Sequence, residues 1–155
     1  MSANYPLDQL YRLQRLFWRV LRPRTRGVKV MLFDRDNRLV LVRNAYGRAD
    51  LFVLPGGGVR PFEQPAKAAV REMREELGVD VAELKFRSEH QSATEGKRDR
   101  IYLFEGRVTQ VPRIASVELA DVTVAPLSKL PASTSPATKR RVAEYEGRRA
   151  ADGSW

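Results

Sequence analysis

The sequence contains no cysteine, which excludes disulfide bonds, thiolate zinc sites and a cysteine nucleophile. A single histidine, His90, argues against multi-histidine metal sites and Ser-His-Asp catalysis, and we expect His90 to be a structural or a surface residue. No apolar run approaches the roughly 20 residues that a membrane-spanning helix needs, so no integral membrane association is expected. Because the absence of cysteine suits a reducing compartment, we expect a cytoplasmic protein.

Positive charge is what the sequence has in excess. Lysine and arginine number 28 against 19 aspartate and glutamate residues, a net charge of +9 over 155 residues. A basic surface favours anionic partners such as nucleotides, nucleic acid or acidic lipid, without choosing among them. With 43% hydrophobic and 30% charged residues, the composition is that of a globular domain long enough to bury a core.

The N-terminal segment Pro6–Leu21 has apolar residues at helical spacing and precedes Pro23, which predicts an amphipathic helix. We expect this helix to pack on its own domain or on a second subunit, which makes a homodimer one option; a transit peptide or a membrane-surface helix is the alternative. We therefore predict a basic helix and linker over residues 1–26, a main domain over 27–149 and a tail over 150–155.

Short apolar runs predict strands along the main domain. Val28–Phe33 and Leu39–Val42 are separated by a polar, hairpin-like turn. Further strands are predicted over Leu51–Leu54, Val81–Ser88, Arg100–Val108 and Val122–Pro126, and helices over Gln64–Leu77 and Pro136–Arg149. This order predicts an α/β or α+β domain with a mixed sheet and helices on its faces. We expect Trp155, at the end of the tail, to be disordered.

The first predicted helix carries three carboxylates on one face. Glu72, Glu75 and Glu76 lie at positions i, i+3 and i+4, and like charges at this spacing repel each other. A hard divalent cation would offset the repulsion, and Arg71 could orient the carboxylates but cannot neutralise all three. The alternative is a solvated acidic stripe balanced by neighbouring bases, which leaves unexplained the three glycines at 56–58 that precede the helix.

Another face of the same helix is predicted to bury against the sheet. It consists of Ala66, Val70, Met73 and Leu77, which recur at helical spacing. Ala68 and Ala69 would then lie on the acidic side, where their small side chains leave space.

The stretch Gly57–Val79 resembles the signature of the Nudix hydrolases, G-x5-E-x7-R-E-U-x-E-E-x-G-U, where U is an apolar aliphatic residue. Every specified position is matched, by Gly57, Glu63, Arg71, Glu72, Met73, Glu75, Glu76, Gly78 and Val79. A pattern of this length is far more specific than a lone glycine motif. A weaker similarity follows over Glu118–Pro131, so that the resemblance extends over roughly residues 27–145.

The resemblance implies an α/β/α sandwich with a mixed sheet, here with the N-terminal amphipathic helix added. It also implies a hydrolase that cleaves the pyrophosphate link of a nucleoside diphosphate derivative, such as a nucleotide sugar, a nucleoside triphosphate or a dinucleotide. The divalent metal, Mg²⁺ or Mn²⁺ in its place, would activate water for attack on phosphorus. RNA is a less favoured substrate. The alternative function is a non-catalytic nucleotide- or RNA-binding Nudix module.

The resemblance also assigns roles to individual residues. The metal ligands would be the carbonyl of Gly56 and the carboxylates of Glu72, Glu75 and Glu76. Glu63 would support the site and Arg71 would orient the glutamates. Glu76 or Glu72 would act as the general base, with Glu118 as the rival. Basic residues that could hold substrate phosphates are Arg43, Arg60, Lys97, Arg98 and Arg100.

The sequence departs from the family pattern in three places, and these limit which family properties can be expected of it. Phe62 stands where glycine is common, so the loop before Glu63 could take a different shape. Val124 replaces a usual tryptophan, so the substrate contacts of that tryptophan do not transfer. The region of Thr94–Gly96 lacks the proline found in some ADP-ribose-cleaving members, which gives that subclass no support.

Overall fold

The computed structural model describes residues 24–93 and 98–155, so the predicted N-terminal helix and Lys97 lie outside the described residues. The strands are β1 (Arg24–Phe33), β2 (Leu39–Asn44), β3 (Phe52–Val53), β4 (Ala82–Ser92), β5 (Arg98–Arg107) and β6 (Leu119–Ala125). The helices are α1 (Pro65–Leu77) and α2 (Pro136–Tyr145), with a 3₁₀ turn at Leu127–Lys129. Within these residues, no helix combines the length and apolar character required to cross a membrane.

The strands form one mixed sheet in which hydrogen-bonded neighbours follow the order β3-β2-β1-β5-β4. β6 lies outside this order and pairs with β2. β1 and β5 run parallel and pair over their full length, from Arg24 opposite Arg98 to Phe33 opposite Arg107. The other pairs are antiparallel, including the β1–β2 hairpin that closes at Phe33 and Leu39. The predicted mixed sheet is therefore confirmed.

A glycine-rich segment fills the gap where β1 and β2 diverge. β2 pairs with β1 only at its first residue and then with β3 near its end. Between them the chain returns alongside β1, because the amides of Val28 and Val30 donate to the carbonyls of Gly57 and Pro55, at 2.9 and 3.0 Å. This pairing holds the glycines next to the first strand.

Helix α1 packs on one face of the sheet, with a different buried stripe from the predicted one. Pro65 occupies its first turn, and Gly78 ends it in the left-handed conformation. The buried residues are Ala68, Ala69, Met73, Glu76 and Leu77, whereas Ala66 is exposed and Val70 is half-buried. The prediction for the two buried alanines was wrong, because their small side chains let the helix approach the sheet. The resulting rotation also turns Glu76 towards the sheet.

Helix α2 covers the opposite face. Its first turn is capped by the Ser135 hydroxyl, which accepts a hydrogen bond from the Thr138 amide at 3.2 Å. The helix ends at Tyr145, four residues before the predicted end, and Gly147 follows with a φ of 71°. Val142 packs with Met31, Phe33 and Leu103 in the core on this side. With α1 on the other face, the predicted α/β/α sandwich is confirmed.

The C-terminal residues pair with the sheet edge. Gln91 on β4 donates its amide to the Gly153 carbonyl at 2.8 Å, and its carbonyl accepts from the Trp155 amide at 3.0 Å. The Trp155 ring lies 5.7 Å from the His90 ring and 5.4 Å from the guanidinium of the fully buried Arg141. The expectation of a disordered Trp155 was wrong, because the edge of β4 supplies backbone partners that local sequence does not reveal.

Candidate active site

Four glutamates line one cleft of about 490 Å³ between β1, the glycine segment and α1: Glu72, Glu75, Glu76 and Glu118. Three cationic side chains line it as well, Lys29, Arg60 and Arg71. Glu118 joins the three helix residues although it follows them by more than 40 positions, because the segment before β6 returns to α1. The Ala115 amide donates to the Glu76 carbonyl in this contact, at 2.9 Å.

Arg71 lies at the centre of the acidic residues. Its Nε and Nη2 donate to the two carboxylate oxygens of Glu63 at 2.8 and 2.9 Å, a bidentate pair. Its Nη1 donates to Glu72 at 2.7 Å and to Glu75 at 3.2 Å. Nη2 also donates to the Gly58 carbonyl at 2.8 Å, which ties the glycine segment to the helix. One guanidinium thus fixes three carboxylates and the adjoining loop.

Glu63 is held as a carboxylate. Hydrogen bonds from Arg71, together with one from the Arg60 amide at 2.9 Å, lower the pKa of Glu63 to about 2. The same pairing with Glu63 raises the pKa of Arg71 above its ordinary value. This pair therefore stays ionised throughout the physiological range.

Glu76 has the opposite electrostatic environment. Burial raises its pKa to about 7, although the Lys29 ammonium and a hydrogen bond from the Gly56 amide lower it. That amide donates to Oε2 at 3.1 Å, so Oε1 is the oxygen that it leaves available. Burial also raises the pKa of Glu72, against the lowering effect of Arg71. The buried Glu76 and the partly buried Glu72 consequently carry charge that their protein partners compensate only in part.

A side chain would not fit at two of the glycines, for a different reason at each. Gly56 has a φ of 147°, and a Cβ there would lie 2.1 Å from the Val28 carbonyl oxygen. A Cβ at Gly57 would lie 2.5 Å from the carboxyl carbon of Glu72. Gly56 lets the chain pass against β1, and Gly57 leaves room for a carboxylate.

Sequence reasoning missed Lys29, Asn44 and Tyr46, which also line the cleft. The Lys29 ammonium donates to the Leu54 carbonyl at 3.0 Å, and burial lowers its pKa. Its signal was available, since Lys29 is the one charged residue inside the apolar run Val28–Phe33. Asn44 and Tyr46 carry no comparable signal, because polar residues after a strand are common in loops.

The predicted phosphate-binding residues lie in different places. Arg60 lines the acidic cleft and pairs with Glu75 at 3.4 Å. Arg98 and Arg100 line a second cleft of about 670 Å³, together with Arg26. Arg26 connects the two clefts, since it donates to the Arg60 carbonyl at 3.3 Å. Arg43 lines neither of them; its guanidinium pairs with Asp121 at 3.2 Å.

Phe62 adopts the left-handed conformation that favours glycine, with a φ of 63°. A non-glycine residue held in this region costs about 1–3 kcal/mol of backbone strain. Its side chain is fully exposed, at 104% of the reference area, so burial of the ring does not offset that strain. This conformation explains why glycine suits the position. With phenylalanine there instead, the backbone still adopts the left-handed turn.

The donor set of the cleft fits a hard divalent cation by its chemistry. Carboxylate and carbonyl oxygens surround one cleft, and two of the carboxylates have a raised pKa that a nearby cation would lower. Among residues 24–93 and 98–155, no three acidic or histidine side chains converge as ligands of one ion. Glu72 and Glu75 instead contact Arg71, and Glu76 contacts the Gly56 amide.

Known proteins were found to match this chain both in sequence and in fold. The model of the NUDIX domain matches residues 23–145. An RNA pyrophosphohydrolase of Rickettsia africae is 38% identical over 64 residues, which cover 39% of this chain and 40% of the relative. An RNA pyrophosphohydrolase of Gluconobacter oxydans is 38% identical over 58 residues, covering 37% of this chain and 34% of the relative. The matched stretches thus span about two fifths or less of these relatives.

Solved structures share the fold over most of the chain. The MutT Nudix hydrolase of Burkholderia pseudomallei has a TM-score of 0.68 at 23% identity, covering 77% of this chain and 95% of its own. The MutT protein of Methanosarcina mazei has a TM-score of 0.69 at 23% identity, covering 82% of this chain and 95% of its own. The Nudix domain of Shewanella oneidensis NrtR, solved with ADP-ribose, has a TM-score of 0.67 at 18% identity, covering 81% and 88%.

Proposed function

Because the chain belongs to the NUDIX domain family, we propose that it is a divalent-metal-dependent hydrolase. It would cleave the pyrophosphate link of a nucleoside diphosphate derivative. The observation that carries the proposal is the acidic cleft itself. Arg71 and the glycine segment hold the carboxylates around one opening, and burial raises the pKa of two of them, the buried Glu76 and the partly buried Glu72. Such a cleft suits a substrate that arrives with cations.

We assign metal binding to the carboxylates of Glu72, Glu75 and Glu76 and the carbonyl of Gly56. Mg²⁺, or Mn²⁺ in its place, would neutralise the diphosphate and polarise the phosphorus when bound there. Arg71 holds Glu72 and Glu75 in position, and Glu63 holds Arg71 through two hydrogen bonds. Arg60 and Lys29 supply positive charge to the same cleft and favour the phosphate groups of the substrate.

We assign removal of the proton from the attacking water to Glu76 or Glu72. The position of both carboxylates supports this assignment, because they line the cleft that would hold the metal ion and its water. Oε1 of Glu76 is the candidate atom on that residue, since Oε2 accepts from the Gly56 amide. Glu118 lines the cleft from the opposite segment and is the alternative base.

The 5′-polyphosphate end of RNA is the substrate class that the described residues favour among the options. The second cleft presents Arg26, Arg98 and Arg100 beside the acidic one, and the whole chain carries a charge of +9. Phosphates that follow the cleaved link along an RNA strand would meet this basic surface. The two curated relatives described above are named RNA pyrophosphohydrolases, which supports this choice.

The test is a product-release screen with Mg²⁺, with Mn²⁺ and with EDTA. The panel contains nucleoside triphosphates, nucleotide sugars, dinucleotides and 5′-triphosphorylated RNA. We expect metal-dependent turnover, with pyrophosphate released from the RNA, and its loss in Glu75→Gln. Glu83→Gln, on an exposed side chain of β4, is the matched control and should retain activity. Metal-independent binding of nucleotides or RNA without turnover would instead establish the non-catalytic binding module.

A further inference from the structure

Phe62 lies at the rim of the acidic cleft. Arg60, two positions earlier, lines the cleft, and Glu63, the next residue, is bound to Arg71. Consecutive Cα atoms are 3.8 Å apart, so the Phe62 backbone lies within about 8 Å of these two anchored residues. The loop that carries the ring is thus fixed on both sides by the site.

No contact inside the described domain accounts for a phenylalanine at this position. Its ring is fully exposed, and its backbone has the left-handed conformation that disfavours a side chain. The exposed Phe86 differs in both respects: it lies in the extended strand β4, and its ring packs edge-on against Phe104 with centroids 5.8 Å apart. A strained, uncovered aromatic ring beside a site is typical of a ligand contact.

The surroundings of the ring indicate what it would contact. The other exposed apolar side chains near α1 lie on the 111–117 segment, which contacts the opposite end of the helix. A helix of 13 residues is about 20 Å long, so Phe62 does not belong to that apolar surface. Two residues before Phe62 in the chain, Arg60 is an exposed cation that lines the acidic cleft and pairs with Glu75 there. A flat ring at the rim of such a cleft matches a base next to phosphates rather than an apolar protein surface.

We propose that Phe62 is a stacking platform for a nucleobase of the substrate whose phosphates occupy the acidic cleft. The inference rests on the proposed function for the identity of the substrate. A base on this platform holds the nucleotide at the rim while the pyrophosphate link extends towards the glutamates. Because every base has a flat apolar face, the contact increases affinity with little preference for sequence.

The experiment compares a 5′-triphosphorylated pentaribonucleotide with an otherwise identical oligonucleotide that lacks all its bases. Affinity is measured by fluorescence anisotropy with Ca²⁺ in place of Mg²⁺, so that a hard cation accompanies the phosphates into the acidic cleft, and KM and kcat are measured with Mg²⁺. Wild type is expected to bind the base-containing oligonucleotide more tightly. Phe62→Gly should weaken that binding and raise its KM by about 5- to 100-fold, leave the abasic oligonucleotide unaffected and leave kcat unchanged. Phe62→Trp should retain the preference.

Two controls separate stacking from folding. Phe62→Gly should melt at the same temperature as wild type or higher, because glycine relieves the left-handed strain. Phe86→Ala should melt lower, through lost packing on Phe104, and keep the full preference for bases. An unchanged preference in Phe62→Gly overturns the proposal, as does an equal affinity of wild type for the two oligonucleotides. Turnover of neither oligonucleotide by wild type counts against the RNA hydrolase assignment, whereas the anisotropy measurement still decides the stacking.

Discussion

Two arginines in the described part of the chain, Arg71 and Arg141, differ in the charge that surrounds their guanidinium groups. Arg71 contacts the carboxylates of Glu63, Glu72 and Glu75. Arg141, fully buried on α2, contacts a single carboxylate, Glu144, at 2.8 Å. The remaining partners of Arg141 are neutral: the Ser154 carbonyl at 2.6 Å, the His90 ring at 2.5 Å and the face of Trp155.

The Arg141 cluster lies among groups of the chain itself, yet burial lowers the pKa of Arg141 and its Nε has no hydrogen-bond partner among the described residues. Because a guanidinium can only donate, Nδ1 of His90 accepts from Arg141, and the Nε2 proton is directed at Ser88 Oγ, 2.7 Å away. Burial, assisted by the charge of Arg141, lowers the pKa of His90 and keeps the ring neutral. Two cations, Arg141 and the more exposed Arg149, thus share the Glu144 carboxylate, and the C-terminal Trp155 covers Arg141.

The Arg71 cluster has an excess of negative charge instead. Four glutamates line its cleft and Glu63 adjoins it, against three cationic side chains. Burial is the main cause of the raised pKa of Glu72 and Glu76, and the neighbouring carboxylates add to it. Arg141 therefore contributes to the stability of the fold, whereas we expect the acidic cleft to bind a cation from outside the chain. Four predictions test this difference.

Neutralising Glu76 should have the largest effect, and in opposite directions on activity and stability. Glu76→Gln should lower kcat by about 10²- to 10⁴-fold, the range for loss of a proton-transfer group. It should also stabilise the metal-free protein at pH 8, where the buried wild-type carboxylate is ionised. A pKa of about 7 against an ordinary 4.5 corresponds to an upper bound of roughly 3 kcal/mol.

The pH dependence has a defined sign. Because the pKa of Glu76 is higher in the folded state, this group stabilises the fold at low pH, and the contribution is lost as pH rises from about 4.5 through about 7. Urea unfolding in EDTA at pH 5 and pH 8 should show this loss in wild type and a smaller one in Glu76→Gln. A variant less stable than wild type at pH 8 would mean that the cleft compensates the Glu76 charge after all.

Removing Arg141 should act on stability alone. Arg141→Met leaves Glu144 without its buried partner and removes the donor to Ser154, so we expect a loss of about 3–5 kcal/mol in the free energy of unfolding. Arg149→Met, on a more exposed arginine near the same carboxylate, should lose less than about 1 kcal/mol. Both should keep the wild-type kcat when folded; a lower kcat in folded Arg141→Met would show that the two clusters are coupled.

Replacing Arg71 with lysine should act mainly on activity. Lysine cannot reproduce the bidentate pair with Glu63 while also reaching Glu72, so the carboxylates lose their common anchor. We expect kcat/KM to fall by about 10- to 100-fold, the range for residues that orient metal ligands. Arg74→Lys, one turn along on an exposed pair with Asp80, is the control and should match wild type. Equal activity of the two variants would contradict the role of Arg71.

The smallest effect is expected at the C-terminus. Trp155→Ala removes the ring that covers Arg141 and His90 but leaves the backbone pairing with Gln91, so a loss of about 1 kcal/mol is expected. Differential scanning calorimetry should show a lower melting temperature with unchanged kcat. A melting temperature equal to that of wild type would mean that the Trp155 ring does not stabilise the Arg141 cluster. Ala151→Ser, in the same segment, is the control and should melt at the wild-type temperature.

Much of the candidate site was predictable because its central residues are close in sequence. Glu72, Glu75 and Glu76 share a helix, whose 3.6-residue turn places them together whatever the rest of the chain does. The glycine segment and Glu63 lie within one short loop before that helix, so Arg71 can reach them. The order of strands and helices likewise predicted the mixed sheet, since short apolar runs bounded by turn residues can be recognised locally.

The remaining features depended on contacts between distant segments. The rotation of α1 that buries Ala68 and Ala69 follows from how closely a helix can approach this sheet, which hydrophobic spacing does not specify. The entry of Lys29 into the cleft, the convergence of Glu118 and the pairing of Trp155 with β4 all join segments far apart in sequence. The sequence by itself therefore determined the family, the secondary structure and the carboxylates of the helix. Only the tertiary structure decided which other charges meet them, because long-range packing sets burial and burial sets the electrostatics of each group.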